Sequence, residues 1–473
     1  MDGSNRSVAT ASVRVWLLFT ALAAGRRQSH VSAARGHTGE QQTPDPRPNI
    51  VLVTCDSLDG RLTFGPQNQV VNLPNINIMK ENGAVFLNTY SNSPICCPSR
   101  AALWSGLFVH LTKSWNNFKC LNPDYPTWMK VLQNYGYYTK VYGKTDYTSG
   151  HHSISNRVEA WTRDVKFLLR QEGRPTTVLI GNESTVRIMD HDWQNVDKVT
   201  EWIRYKAAHL NQPFVLSLGL NLPHPYPTPS MGEAPGGSTF KTSPYWLKKV
   251  NYESIRIPKW LSFSEMHPVD FYSSYTKNCT GNFTYRNIKD IRGFYYAMCA
   301  ETDLMLDIAG ISLPKNLSGY SLLPLLRASP KHIPAKKPRP DWIFSEFHGC
   351  NVNASTYMIR TGRWKYITYA DGISVPSQLF DLITDPDELM NVASKYTKIT
   401  STLDKKLRSI LNYPEVSKSV HQYNKLEFTK WKESLGKNYT NIIANLRWHQ
   451  SWQKDPACYQ NAIENWLNST ADV

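Results

Sequence analysis

The sequence predicts an α/β fold: a mainly parallel central sheet flanked by helices, followed by a smaller C-terminal α+β subdomain. Three observations carry this. The run "NIVLVTCD" (49–56) is continuously apolar and ends in an acid, the pattern of a strand buried on both faces. Similar runs recur at 137–143 and 213–222, each after a helical pattern, and such alternation builds parallel sheets. Beyond the Pro- and Lys-rich stretch "RASPKHIPAKKPRP" (327–340), the pattern changes to short strands joined by turns.

The elements follow in chain order. Arg6 and Arg14 accompany the apolar run "VWLLFTALAA", and Ala21 and Ala23 offer small residues for cleavage, so 1–24 read as a secretory signal peptide. That run is shorter than the about 20 residues a membrane span needs, and no other stretch qualifies. Residues 25–47 lack any period and read as a mobile leader. Asp56 then closes the first strand at its carboxyl end, where α/β sheets place their ligands; a turn or capping role is the alternative. "SPICCPSRAALWSG" (93–106) has the look of a helix start. "TWMKVLQNYGYYTKVYGKTD" (127–146) gives a helix stopped near Gly136, a strand, and Lys144 at its exit. "DKVTEWIRYKAAHL" is helical, and "PFVLSLGLNLPHPYP" is a buried strand leaving through a proline-rich loop that carries His224. "DIRGFYYAMCAETDLML" (290–306) is a helix. After the linker 327–340, "DWIFSEFHG", "STYMIRTGRWKYITYA" and "SQLFDL" read as strands, with a helix from about residue 400 and an aromatic tail of amphipathic helices. The main domain is thus 48–326 and the C-terminal subdomain 341–473.

Composition narrows the partners. With 53 Lys and Arg against 38 Asp and Glu, the net charge of +15 favours an anionic partner, although a basic solvated surface accounts for it equally. No Lys/Arg block points to nucleic acid. Sequons at Asn182, Asn278, Asn282, Asn316, Asn353, Asn438 and Asn468 fit a glycoprotein of the secretory route. The eight cysteines are scattered, form no CxxC pair suited to zinc, and leave room for one or two disulfides.

The register of the cysteine doublet matters most. Counted from Cys96, "CCPSRAALWSG" reads C-x-P-S-R followed by a turn of helix ending in Ser105–Gly106. In that register the segment resembles the signature of the sulfatases, an alkaline-phosphatase-like family, and Cys97 is its variable position. "PNIVLVTCDSLDG", "GYYTKVYGKTD", "PFVLSLGLNLPHPYP" and "GRWKYITYADG…QLFDLITDPDELMNVA" are similar to further family segments, so the resemblance covers most of the chain. It implies that Cys96 is oxidised to formylglycine (3-oxoalanine) in the endoplasmic reticulum by the formylglycine-generating enzyme. A hydrated aldehyde is a geminal diol. One hydroxyl attacks sulfur and expels the alcohol; the other then loses its proton and ejects sulfate as the aldehyde re-forms. A plain serine has no such exit.

The resemblance also implies the supporting parts. Arg100 holds the diol, and one divalent cation per subunit, calcium with magnesium as the alternative, is bound by Asp56 and residue 96. Lys144 and His224 bind sulfate, or His224 protonates the leaving alcohol; His267 in "EMHPVD" is a second candidate. The implied substrate is 2-O-sulfo-glucuronate of heparan-type glycosaminoglycans, the implied location the lysosome and the secreted fluid. A non-catalytic secreted glycoprotein that binds sulfated glycans is the alternative reading.

Departures from the family pattern stand beside these matches. Ser57 replaces a second ligand aspartate, with Asp59 as a weak substitute, and Asp146 replaces a histidine whose role would pass to His151 or His152. The later strand ending in (S/T)-D-H-G or D-N-G is missing; "IMDHDWQ" (188–194) lacks its glycine and its strand. The junction near Asp303 to Asp307 therefore reads as an internal gap of roughly 60 residues, two strand–helix units of about 30 each. Asp385 and Glu388 read as turn and cap residues.

Overall fold

The computed structural model describes residues 16–20, 47–60, 69–148, 154–165, 171–228, 235–279, 283–307, 340–350, 352–446 and 449–469. The expected leader up to residue 46, the linker up to residue 339, His151, His152, Asn282 and Asn316 lie outside the described residues, as does most of the expected signal peptide.

In chain order the strands are β1 (Trp16–Thr20), β2 (Ile50–Cys55), β3 (Tyr138–Gly143), β4 (Gly173–Leu179), β5 (Phe214–Leu220), β6 (Tyr226–Pro227), β7 (Gly237–Thr242), β8 (Ile343–Phe347), β9 (Thr356–Arg360), β10 (Trp364–Tyr369) and β11 (Gln378–Asp381). The central sheet has the order β1-β2-β5-β3. β2 and β5 are buried along their whole length, as their unbroken apolar runs require. β5 runs parallel to both β2 and β3, while β1 lies antiparallel on the outer side of β2.

Alternation along the strands divides the core into two layers. Ile50 and Val215 point to one face, against Trp104, Met129 and Tyr137. Val51, Val53, Leu216 and Leu218 point to the other, against Trp193, Val199, Trp202 and Met298. Each such fully buried aliphatic side chain contributes about 1.5–3 kcal/mol. The register places Cys55 beside Leu220 and Gly143 beside Gly219, so three strands end on one edge. Asp56, Lys144 and the loop with His224 all leave from that edge.

Two further sheets are present among the described residues. A small sheet, β4-β7-β6, was not legible in the sequence. The C-terminal sheet, β11-β10-β9-β8, is antiparallel throughout, and the helix Thr397–Ile410 covers it through Leu403 and Leu407. The aromatic tail is helical as expected, but it packs on the main domain: Phe428, Ile463 and Trp466 share a core with Val158 and Trp161 of the helix Ile154–Trp161.

Neither of the one or two disulfides for which the sequence leaves room is present in this structure. Cys55, Cys97, Cys120 and Cys299 are buried, where a thiol packs as a small apolar side chain. Among the described residues no helix is long and apolar enough to cross a membrane.

Candidate active site

The helix Cys96–Ser105 begins directly at Cys96, because Ile95 is still extended, with φ −146° and ψ 150°. Pro98 falls in the first turn, where a missing N–H costs nothing. The Cys97 amide donates to Asn117 Oδ1 at 3.0 Å, and the helix stops where Gly106 adopts φ 72°. Residue 96 therefore stands at the positive end of a helix. Arg100, one turn on and buried, donates from one guanidinium nitrogen to the Lys144 carbonyl at 2.9 Å and to Thr54 Oγ1 at 3.3 Å. It ties the end of β2 to the exit of β3.

Two glycines permit that exit. A Cβ on Gly219 would fall on the Lys144 carbonyl oxygen, and one on Gly143, where φ is +73°, would fall on the Gly219 carbonyl. With neither present, Lys144 is delivered to the sheet edge. Its Nζ lies 2.5 Å from Asp56 Oδ2, 3.4 Å from Asp146 Oδ2 and 3.8 Å from Cys96 Sγ. Cys96 Sγ is 3.7 Å from Asp56 Oδ2. Asp56, Cys96 and His224 each offer a ligand atom within 4.8 Å of the others. His224 Nδ1 donates to the Pro225 carbonyl at 2.6 Å, which leaves the Nε2 lone pair available.

The charges are set by burial and by one another. Burial pushes the Asp56 carboxyl up, but Lys144, His224 and Arg100 outweigh it and hold the group below the usual range. Burial, with Asp56 adding to it, pushes the Cys96 thiol up to about 12. Burial opposes the Lys144 charge, yet Cys96, Asp56 and Asp146 keep it protonated above the usual lysine range. Burial lowers His224 below its ordinary value against the pull of Asp56. The result is an ionised carboxylate, a firm cation, a neutral imidazole at neutral pH and a thiol that does not ionise.

Other expected residues are placed elsewhere. His267 caps the helix Pro268–Thr276: its Nδ1 accepts from the Val269 amide at 3.3 Å, its Nε2 bonds the Pro376 carbonyl at 2.8 Å, and its ring stacks on Tyr369. Both ring nitrogens are taken, and it is not one of the three clustered groups. The Ser57 carbonyl accepts from the Tyr295 hydroxyl at 2.6 Å, and that hydroxyl receives the Asp59 amide at 2.9 Å. Asp303 accepts the amides of Asn75 and Ile76 and so caps the helix Pro74–Asn82. Asp192 of "IMDHDWQ" turns to the loop ahead of His224. Asp385 accepts the Leu389 and Met390 amides, and Glu388 pairs with Lys365 at 2.7 Å; both serve the C-terminal loop. Of the sequons, Asn182, Asn353, Asn438 and Asn468 are exposed, whereas Asn278 is half-buried and donates its amide to the Glu172 carbonyl at 2.9 Å.

The clustered groups could hold a metal ion. A hard cation takes about six oxygens or more. Asp56 supplies carboxylate oxygen, residue 96 supplies oxygen only once its sulfur is replaced, and the His224 imidazole, which is no oxygen donor, stands beside them. The set fits part of a divalent cation's shell, with the rest left to substrate oxygens and water.

Comparison with known proteins returns two family models and whole-chain relatives. A family model described as sulfatase matches residues 48–307, and one described as N-sulphoglucosamine sulphohydrolase, C-terminal, matches 291–412. Arylsulfatase K of Homo sapiens is 57% identical over 498 residues, covering 89% of this chain and 93% of that protein. Arylsulfatase K of Gallus gallus is 56% identical over 498 residues, with the same coverage of 89% and 93%. Among solved structures, the phosphonate monoester hydrolase SpPMH from Silicibacter pomeroyi superposes with a TM-score of 0.53 at 14% identity, covering 77% of this chain and 96% of that one; this is a likeness of fold.

Proposed function

This chain belongs to the sulfatase family and is a sulfate-ester hydrolase, and from that premise we propose that it removes the 2-O-sulfate of glucuronate in heparan-type glycosaminoglycans, through a formylglycine made from Cys96. One observation carries the reading. A thiol pushed up to about 12 stays protonated at any pH a cell uses, so Cys96 is a poor nucleophile as cysteine, yet three polar side chains, Asp56, Lys144 and His224, converge on it. Conversion to an aldehyde resolves this, since a hydrate attacks through oxygen. The formylglycine-generating enzyme is then a partner during passage through the secretory pathway, with the lysosome as destination and the exposed sequons carrying glycans.

The chain's residues divide the work. Arg100 and the helix start hold the diol that replaces the Cys96 sulfur. Lys144, locked as a cation, receives the sulfate oxygens. One diol hydroxyl bonds to sulfur as the bond from sulfur to the alcohol oxygen breaks, its proton passing to the Asp56 carboxylate. His224, protonated at acid pH, gives its proton to the departing alkoxide oxygen. The second hydroxyl then loses its proton, the aldehyde re-forms and sulfate leaves. A divalent cation, calcium in this reading with magnesium as the alternative, would be held by Asp56 and residue 96 and would neutralise charge on the sulfate oxygens. The net charge of +15 suits a polyanionic substrate, and a glycan-binding role without turnover has no observation of its own.

The same proposal includes the internal gap near Asp303 to Asp307. The alignment with the human relative runs over 498 residues although only 89% of these 473 take part, which supports a missing stretch. No described residue takes the place of the absent ligand motif in the cluster. The test is sulfate release at acid pH from a 2-sulfated uronate by this chain, by a chain with the stretch restored, and by Cys96→Ala in each. The restored chain is expected to be faster and the alanine variants inert. Undiminished release by Cys96→Ala overturns the function; equal rates for the two lengths overturn the gap.

A further inference from the structure

We propose that Asp192 positions His224, by anchoring the two residues that lead into its turn. This rests on the reading of His224 as the group that protonates the leaving alcohol. Asp192 lies in the first turn of the helix Asp190–Tyr205 and is fully buried. Its carboxylate does not serve that helix. Oδ2 accepts the Asn221 amide at 2.8 Å and the Leu222 amide at 2.9 Å, and Oδ1 accepts Asn221 Nδ2 at 2.8 Å. The helix start is held instead by Glu301, whose Oε1 accepts the amides of Ile188 and Met189 and the Trp193 indole N–H.

The anchor connects directly to the site. The Asp56 amide donates to the Leu220 carbonyl at 3.2 Å, which sets Asp56 against the end of β5. Asp192 fixes the next two residues. The His224 amide then donates back to the Asn221 carbonyl at 2.9 Å and closes the turn. A single carboxylate thus determines where the imidazole stands relative to Asp56 and Cys96, 4.8 Å or less away. Asp192 touches neither cluster nor substrate, so it is a positioning residue. Its three donors all come from a segment 29 to 30 residues further along the chain.

The test is an exchange of partners. In Asp192→Asn the two backbone N–H groups keep only a neutral amide oxygen in place of a carboxylate, and the Asn221 side chain has to turn over before its oxygen can meet the new amide N–H. In the double variant Asp192→Asn, Asn221→Asp the amide oxygen accepts the two backbone N–H groups, and the amide nitrogen donates to the new carboxylate. Rates are compared on a 2-sulfated uronate and on an aryl sulfate, whose phenolate leaves without help. The ratio of the two rates in one preparation does not depend on how much of it is folded. Asp192→Asn is expected to lower the sugar rate by about 100-fold, as a misplaced group of about 1 Å does, with a smaller loss on the aryl ester. The double variant should restore the ratio. An unchanged ratio in Asp192→Asn, or a folded double variant that fails to restore it, overturns the inference.

Amide hydrogen exchange across 218–227 reads the anchor without any turnover. Faster exchange in Asp192→Asn and recovery in the double variant are expected; exchange unchanged in Asp192→Asn overturns the anchor. If neither the unaltered chain nor the restored chain releases sulfate from either ester, the hydrolase reading fails on its own, while the exchange result still decides this one.

Discussion

Replacing Lys144 by methionine removes the cation that stands 2.5 Å from Asp56 while keeping most of its apolar stem. Both partners are largely buried, with side-chain exposures of 14% and 7%, so water replaces little of what is lost. Breaking a buried pair from one side costs about 3–5 kcal/mol. The lower end applies here, because Arg100 still favours the carboxylate. The pH dependence follows from linkage. In the native chain the Asp56 carboxyl lies below its ordinary value, so its contribution is present above the unfolded value of about 3.9 and is lost as pH falls through the folded one. Without Lys144, burial raises the carboxyl instead, and stability is lost as pH rises while that group titrates, at about 1.4 kcal/mol per pH unit. Urea unfolding with chelator present is therefore expected to show a loss of about 3 kcal/mol at pH 7.5, smaller by up to about 2 kcal/mol at pH 5. A loss below about 0.5 kcal/mol, or one of the same size at both pH values, refutes the reasoning, since it would make the pair no better than a surface ion pair.

Three further outcomes follow from other parts of the molecule. Gly219→Ala drives a Cβ into the Lys144 carbonyl, and overpacking of this kind costs about 1–3 kcal/mol; denaturant midpoints should fall, with turnover falling about 100-fold further as Lys144 shifts, and an unperturbed variant would contradict the close approach. Arg100→Met loses the bonds to Thr54 and the Lys144 carbonyl and should cost about 2 kcal/mol in urea together with sulfate release; retention of both would remove Arg100 from the site. His348 is buried against Glu346 at 3.1 Å, with Ser355, Arg163 and His110 as its other polar neighbours, and burial depresses it below the ordinary histidine value. Its unfolded form takes up a proton first, so the thermal midpoint should fall as pH drops below about 6.5; His348→Gln should flatten that slope, and an unchanged slope would exclude His348 as its cause.

The legible parts share a physical reason. Burial on both faces leaves an unbroken apolar run, which exposed β2 and β5 in the sequence, and strand ends on one edge gather whatever polar residues follow them. That is why Asp56, Lys144 and His224 meet around Cys96. What was hidden depends on distant partners. β4 and β7 pair across more than 60 residues with half-exposed, polar-alternating sequences that carry no local signal. His267 resembled a ligand-binding His–Pro pair, but a carbonyl 109 residues away and the ring of Tyr369 make it a cap. Asp192 stands in "IMDHDWQ", a segment without the glycine and strand of the family motif, and only the loop it holds reveals its use. The tail was recognisable as amphipathic helices, yet nothing local named the helix Ile154–Trp161 as its partner.

The central claim is that residue 96 works as an aldehyde and not as a thiol. Mass spectrometry of the peptide containing residues 96–100, taken from chain secreted by a eukaryotic cell, tests it most directly. The account predicts formylglycine at position 96 in protein that releases sulfate. An intact cysteine at that position in protein that releases sulfate equally well would contradict it.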